Sequence, residues 1–159
     1  MHEKSASYWI DTLQMNKHPE GGWYVETFRD EYISSRKSAS TAIYFLLTEA
    51  EVSHFHRIAS VEMWHFYAGA PVVVHQIDAQ GEYTRHVVGA DWEQGERFQA
   101  VVPAGAWFAA ESTGAYSLVG CTVAPGFEFA DFELGQRQVL VELFPKHREL
   151  IEQFTTMDV

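Results

Sequence analysis

Residues 53–69 read Ser53-His54-Phe55-His56-Arg57-Ile58-Ala59-Ser60-Val61-Glu62-Met63-Trp64-His65-Phe66-Tyr67-Ala68-Gly69. The second half of this stretch alternates with the period of a β-strand. Val61, Met63, His65 and Tyr67 face one way, and Glu62, Trp64 and Phe66 the other. Residues 53–58 form a second strand. A five-residue connection, 57–61, separates His56 from Glu62, a length that a hairpin accepts. His54 and His56 are two apart, so both rings are expected on one face, about 7 Å apart along the backbone. The hairpin then brings Glu62 opposite them.

Working outward, short apolar segments recur with turn signals between them. Strands are expected over 23–29, 41–47, 71–77, 82–88, 98–102, 106–110 and 116–125. Gly21-Gly22 and Gln80-Gly81 are turns, and 30–40 and 89–95 are polar loops. Many short strands at this spacing give an all-β sandwich or barrel. A helix is expected over 5–15, capped by Ser5 or Ser7 and carrying Trp9, Ile10 and Leu13 on one side. A closing helix runs over 145–154, with Pro145 in its first turn. Residues 1–159 make one domain. Strand 61–68 is apolar on both faces, so its outer face needs a cover, either a terminal helix or a second subunit. A homodimer is expected.

Composition narrows the function classes. The chain has 159 residues, with 22 acidic and 11 basic side chains and a formal charge of -11. That excess opposes nucleic-acid phosphates and anionic membrane surfaces. No run of residues approaches the roughly 18 apolar positions of a membrane span, and the polar N-terminus does not read as a signal peptide. Cys121 is the one cysteine, which rules out an internal disulfide and a cysteine-rich zinc site. Its apolar neighbours mark it as a buried small hydrophobe. A reducing cytoplasm is the expected compartment. Aromatic residues make up 14%, which suits a β core and the wall of a ligand pocket.

His54, His56 and Glu62 are the residues that carry chemistry. Two imidazoles and a carboxylate converging from a hairpin suit a facial metal triad. The same groups also suit acid–base work on a ligand. Here the sequence resembles a known family. His-x-His, a spacer, Glu62 and, after six residues, Gly69 resemble the first cupin motif, although the spacer of five is one residue too long. Gly95 and Pro103-Ala104-Gly105 resemble the second, with seven residues between Gly95 and Pro103. Its final histidine position holds Phe108, so the fourth ligand of metal-binding cupins is missing. Pro19-Glu20-Gly21-Gly22-Trp23-Tyr24, residues 41–47, Glu62-Met63-Trp64-His65-Phe66 and Val123-Ala124-Pro125-Gly126-Phe127 resemble one small, functionally uncharacterised subgroup, the cupin-5-like proteins. In fold these are similar to the sugar-nucleotide epimerase (RmlC-like) cupins.

The resemblance implies an antiparallel jelly-roll barrel whose mouth is the ligand site. It places His54, His56 and Glu62 in that mouth as catalytic groups, with Trp64 and Phe66 as its apolar wall. Trp107, after the Pro-x-Gly turn, is expected as a lid or stacking platform. Tyr44, Gln99, Glu26 and Arg36 are further substrate-binding candidates. Glu20 reads as a turn residue, His65 as structural, and His75 as a substitute ligand. His18 carries no signal.

Three functions follow. The first is an isomerase- or epimerase-like enzyme acting on a sugar or nucleotide-sugar without obligatory metal. The second is a cupin enzyme dependent on iron, manganese or zinc held by His54, His56 and Glu62. The third is a non-catalytic metabolite-binding module. A small-molecule ligand is common to all three.

Overall fold

The computed structural model describes residues 3–157. Helix α1 (Ala6–Thr12) begins at Ser5, whose hydroxyl accepts from the Tyr8 N–H and satisfies one of the free donors of a helix start. The strands follow in order: β1 (Asn16–Lys17), β2 (Trp23–Arg29), β3 (Ile33–Ser34), β4 (Lys37–Ser38), β5 (Thr41–Thr48), β6 (Val52–Arg57), β7 (Val61–Gly69), β8 (Val72–Ile77), β9 (Tyr83–Val88), β10 (Gln99–Val102), β11 (Trp107–Ser112), β12 (Tyr116–Ala124) and β13 (Glu133–Leu134). Helices α2 (Arg137–Leu143) and α3 (Arg148–Gln153) end the chain.

Two antiparallel sheets face each other as a jelly roll. One has six strands in the order β1-β2-β5-β12-β7-β10, the other five in the order β13-β6-β11-β8-β9. Side chains alternate between the interior and the outside of each sheet. Phe45, Leu47, Trp64, Phe108 and Val119 fill the space between the sheets. The outer face of the five-stranded sheet carries Phe55, Ile77, Trp107 and Ala109, and Leu140, Ile151 and Phe154 of the C-terminal segment cover it. Strand β8 is therefore buried along its whole length. Each fully buried apolar side chain of this cover stabilises the fold by roughly 1.5–3 kcal/mol. Helix α1 covers one end of the six-stranded sheet, where Trp9, Ile10 and Leu13 meet Leu46, Tyr116 and Leu118. Val61, Tyr67 and Val101, on the outer face of that sheet, remain exposed.

The structure adds to the expected set the short edge strands β1 and β13, a hairpin and a helix. Loop 30–40 contains the hairpin β3–β4, with Ser35 and Arg36 at φ of 52° and 67°, the left-handed conformation of a two-residue hairpin turn. Helix α2 starts at Gln136, which makes no side-chain cap, so its sequence gives no start signal. The expected helix 145–154 divides into a 3-10 turn, Pro145–His147, and α3.

One expectation about β6 changes. The pairing of β6 with β11 slips between Phe108 and Ala110, where Phe108 pairs with His56 and Ala110 with Ser53. An extra residue is thus accommodated in β6. Strict alternation is lost across the bulge, and His54 and His56 do not share one environment.

Candidate active site

A cavity of about 200 Å³ opens at one end of the space between the sheets. Its residues come from the turn before β2, from β2 and β5, from β6 and β7, and from β12 with the segment after it.

The turn is the least obvious contributor. His18 N–H donates to the Gly22 carbonyl and Gly21 N–H to the His18 carbonyl, both at 3.0 Å. Gly21 sits at φ +110°, and a Cβ there would lie 2.0 Å from the Val52 carbonyl oxygen. Only glycine lets this turn pack on β6. The packing buries Glu20 inside the cavity. It also captures His54, since the Glu20 carbonyl accepts from both the His54 N–H and its Nδ1, each at 2.7 Å.

His56 Nε2 lies 2.9 Å from Glu20 Oε2. Its Nδ1 lies 2.7 Å from the His54 carbonyl oxygen. A carbonyl and a carboxylate both only accept, so both ring nitrogens carry protons and His56 is an imidazolium. Burial works against that charge, but the charge and hydrogen bond of Glu20, then the field of Glu62 and the His54 carbonyl, raise the His56 pKa above its ordinary value. Burial likewise opposes ionisation of Glu20. His56, with smaller contributions from His18 and Ser53, outweighs it and holds Glu20 below the ordinary carboxylate range. The Ser53 hydroxyl is buried near Glu20.

Glu62 behaves in the opposite way. Burial and the neighbouring Glu20 charge push its carboxyl up to about 7, against His56 and the Cys121 thiol. Cys121 lines the same wall, and burial raises its thiol well above the ordinary value, so it is no thiolate nucleophile. His18 accepts from the Glu20 N–H at Nδ1, 3.2 Å away. Burial lowers its pKa, and it sits neutral among Tyr24, Phe127, Phe129 and Phe132. At the mouth, Arg29 is clamped by Glu26 at 2.7 Å and Glu128 at 3.0 Å.

Of the residues expected at the site, His56, Glu62 and Glu26 line the cavity. His54 does not, because the turn carrying Glu20 ties up its ring. Trp64 lies deeper, packed between Phe45 and Phe108, with its indole N–H unpartnered. Phe66 packs on the same core. Trp107 is a correction: it faces outward beneath the C-terminal helices, with the Arg57 guanidinium 4.6 Å from its ring centre, and neither lids nor lines the cavity. Tyr44 also faces outward, against Tyr67. Gln99 is exposed and meets His65 at 3.3 Å. Arg36 occupies the β3–β4 turn, away from the cavity lining. His75 is no substitute ligand, since it bridges Tyr83 at 2.7 Å and Glu111 at 3.2 Å on the outer face. Sequence reasoning missed Glu20 and His18 as site residues. The signal for both was the His18-Pro19-Glu20-Gly21-Gly22 turn, in which two consecutive glycines permit a close approach.

The model of the Cupin_5 family, described as Cupin superfamily (DUF985), matches residues 7–135. The chain belongs to this cupin family. Protein SO0799 from Shewanella oneidensis has a solved structure that is similar at a TM-score of 0.94, with 38% identity over 98% of this chain and 99% of that one. A hypothetical protein from Leishmania major is similar at a TM-score of 0.90, with 38% identity over 96% and 99% of the two chains. The uncharacterized yeast protein YML079W of Saccharomyces cerevisiae is 30% identical over 145 residues, 77% of this chain and 71% of its own. Oxalate decarboxylase from Bacillus subtilis shares the fold at a TM-score of 0.59 and 14% identity, over 90% of this cupin and 37% of the larger protein.

That decarboxylase has Mn(II) centres. The donor set of this cupin does not fit such an ion. Both His56 nitrogens are engaged, His54 is turned to a carbonyl, and the Phe108 ring lies 4.1 Å from the His56 ring. Among the described residues, no three side chains of His, Cys, Asp or Glu converge to hold a metal. No helix among them is long and apolar enough to cross a membrane.

Proposed function

We propose that this cavity is the active site of a small-molecule acid–base catalyst of the isomerase or epimerase type, with Glu62 as the proton-exchanging group. One observation carries the reading: Glu62 is a buried carboxyl on the cavity wall with no ion pair among the described residues, and burial and the Glu20 charge push it up to about 7. A general acid–base works best when its pKa lies near the operating pH. His56 has no free N–H, so it acts as a fixed positive charge that stabilises negative charge developing on a substrate oxygen. Glu20 keeps it charged and oriented. The aromatic rim of Tyr24, Phe127 and Phe129 limits water at the reacting atoms. At about 200 Å³ the cavity admits a small metabolite, or one end of a larger one such as a nucleotide-sugar. No metal is required, since the acid, the base and the electrostatic stabiliser are all side chains.

The test incubates the protein with a panel of small hydroxy- and amino-carbonyl compounds in D₂O and follows loss of C–H signals by NMR. The expected result is exchange into one member of the panel, with a rate that follows a midpoint about 7 and falls by about 10²–10⁴-fold in Glu62→Gln. Exchange that survives Glu62→Gln overturns the reading. Activity that tracks a stoichiometric metal lost in His56→Ala supports the metal-dependent alternative instead. Saturable binding without exchange of any kind makes the protein a binding module.

A further inference from the structure

We infer that the cavity selects a small organic cation, an amine or methylated ammonium, over anions and neutral molecules of the same shape. The inference shares its cavity with the catalytic reading above and rests on that reading only for the site's location.

The two cations of the cavity are already committed. His56 gives one N–H to Glu20 and the other to the His54 carbonyl. Arg29 gives Nε to Glu26 at 3.4 Å, one terminal nitrogen to Glu26 at 2.7 Å and to the Phe127 carbonyl at 3.0 Å, and the other to Glu128 at 3.0 Å. A guanidinium has five N–H groups, and these bonds use all but one. An anionic ligand therefore meets no cation that is free to clamp it.

The acceptors are in surplus. Glu20, Glu26 and Glu62 line the cavity against His56 and Arg29, and Glu128 adds a fourth carboxylate at the mouth. Glu62 forms no ion pair among the described residues. His18 is neutral, and neither it nor Tyr24 or Cys121, the other titratable groups of the wall, adds positive charge. A buried carboxyl in this setting is neutralised either by a proton or by a cation supplied from outside. The rest of the wall suits that cation. Tyr24, Phe127 and Phe129 line the same space as the carboxyls, and Phe127 and Phe129 meet edge to face at 4.9 Å. Aromatic faces attract ammonium groups, most strongly where water is excluded. The volume of about 200 Å³ equals roughly seven waters at ~30 Å³ each, enough for a trimethylammonium group with a short polar arm.

A cation beside Glu62 also bears on the chemistry. It holds the carboxyl ionised, so ligand entry converts the acid form into the base form. Glu62 shares the cavity with His18 and Glu20 of the turn, Tyr24, Glu26 and Arg29 of β2, His56 of β6 and Cys121 of β12. Of these, Arg29, His56 and Glu20 keep their charges around neutral pH, so proton release on binding comes from Glu62.

Three probes of one shape test the inference by calorimetry: choline, its uncharged carbon analogue 3,3-dimethylbutan-1-ol, and 3,3-dimethylbutanoate. Choline is expected to bind at least about tenfold more tightly than the alcohol, and the carboxylate more weakly than either. Choline binding should tighten between pH 6 and pH 8 with release of a proton, measured in buffers of different ionisation enthalpy. Glu62→Gln should remove most of the choline advantage. Phe129→Leu, at a half-exposed rim position, should weaken choline more than it weakens the alcohol. Preference for the carboxylate, equal binding of choline and the alcohol, a full choline advantage in Glu62→Gln, or no binding of any probe overturns the inference. Choline selectivity without D₂O exchange in any substrate leaves this inference standing and defeats the catalytic reading. Glu62-dependent exchange of a neutral substrate without choline preference does the reverse.

Discussion

Replacing Glu62 by glutamine should make the protein more stable at alkaline pH while changing little under acid conditions. An unfolded carboxyl titrates at 4.5, and the folded Glu62 at about 7. Between these values the native state binds more protons than the unfolded state, so stability falls as pH rises and levels off above 7. The gap, at 1.36 kcal/mol per pH unit, comes to about 3 kcal/mol as an upper bound. Glutamine has nearly the same shape and titrates nowhere in this range. Glu20 and His56 titrate in both proteins and largely cancel in the difference. Urea unfolding at pH 4.5, 6 and 8 reads the effect, with an unchanged m-value showing that the unfolding reaction is the same. The variant should match the wild type near pH 4.5 and exceed it by up to about 3 kcal/mol at pH 8. For a chain of this size that is a rise in Tm of roughly 6–12 °C. A difference that is flat with pH, or a variant less stable at pH 8, refutes the reasoning, because it means that Glu62 ionises in the fold at no cost.

Other changes probe the surrounding structure. Glu20→Gln strips the counter-charge from buried His56 and should cost about 3–5 kcal/mol near neutral pH. NMR titration of the His56 ring should move from above 6.5 in the wild type to below it, so the variant loses stability as pH falls through 6.5, where wild-type His56 contributes most. Gly21→Ala should lower the melting temperature and misplace Glu20, since its Cβ meets the Val52 carbonyl at 2.0 Å and its φ of +110° is strained for alanine. That conformation alone costs about 1–3 kcal/mol. The exposed outer face holding Val61, Tyr67 and Val101 is proposed to pair with a second copy of the chain. Light scattering at micromolar concentration should then give twice the chain mass, and Tyr67→Glu the monomer.

The strands were legible because alternation survives in them almost unbroken. Glu62 and Trp64 point inward on β7 as their spacing requires, and both are buried. His56 and Glu62 were legible as a pair for the same reason. His54 was not, since a bulge is a single-residue event that period-two reading passes over. Glu20 enters from a turn 34 residues before His54, through backbone contacts with β6 that no local pattern encodes. Trp107 lies on the side away from the cavity because the cover on its face comes from α2 and α3. The first of these lacks a start signal, since Gln136 makes no side-chain cap. Two of the aromatic residues that do line the cavity, Phe127 and Phe129, belong to the segment after β12, fixed by the Phe127 N–H on Thr41 Oγ1 at 2.9 Å.

The central claim is that Glu62 exchanges a proton near neutrality inside a cavity whose other charges are locked. Carboxyl-carbon NMR of protein labelled with ¹³C in its glutamate side chains, with Glu62→Gln used for assignment, measures this directly between pH 4 and pH 9. The account predicts one buried glutamate with a midpoint at about 7 that vanishes in the variant, and another, Glu20, that titrates below the ordinary range. A Glu62 midpoint at or below 4.5 would contradict it.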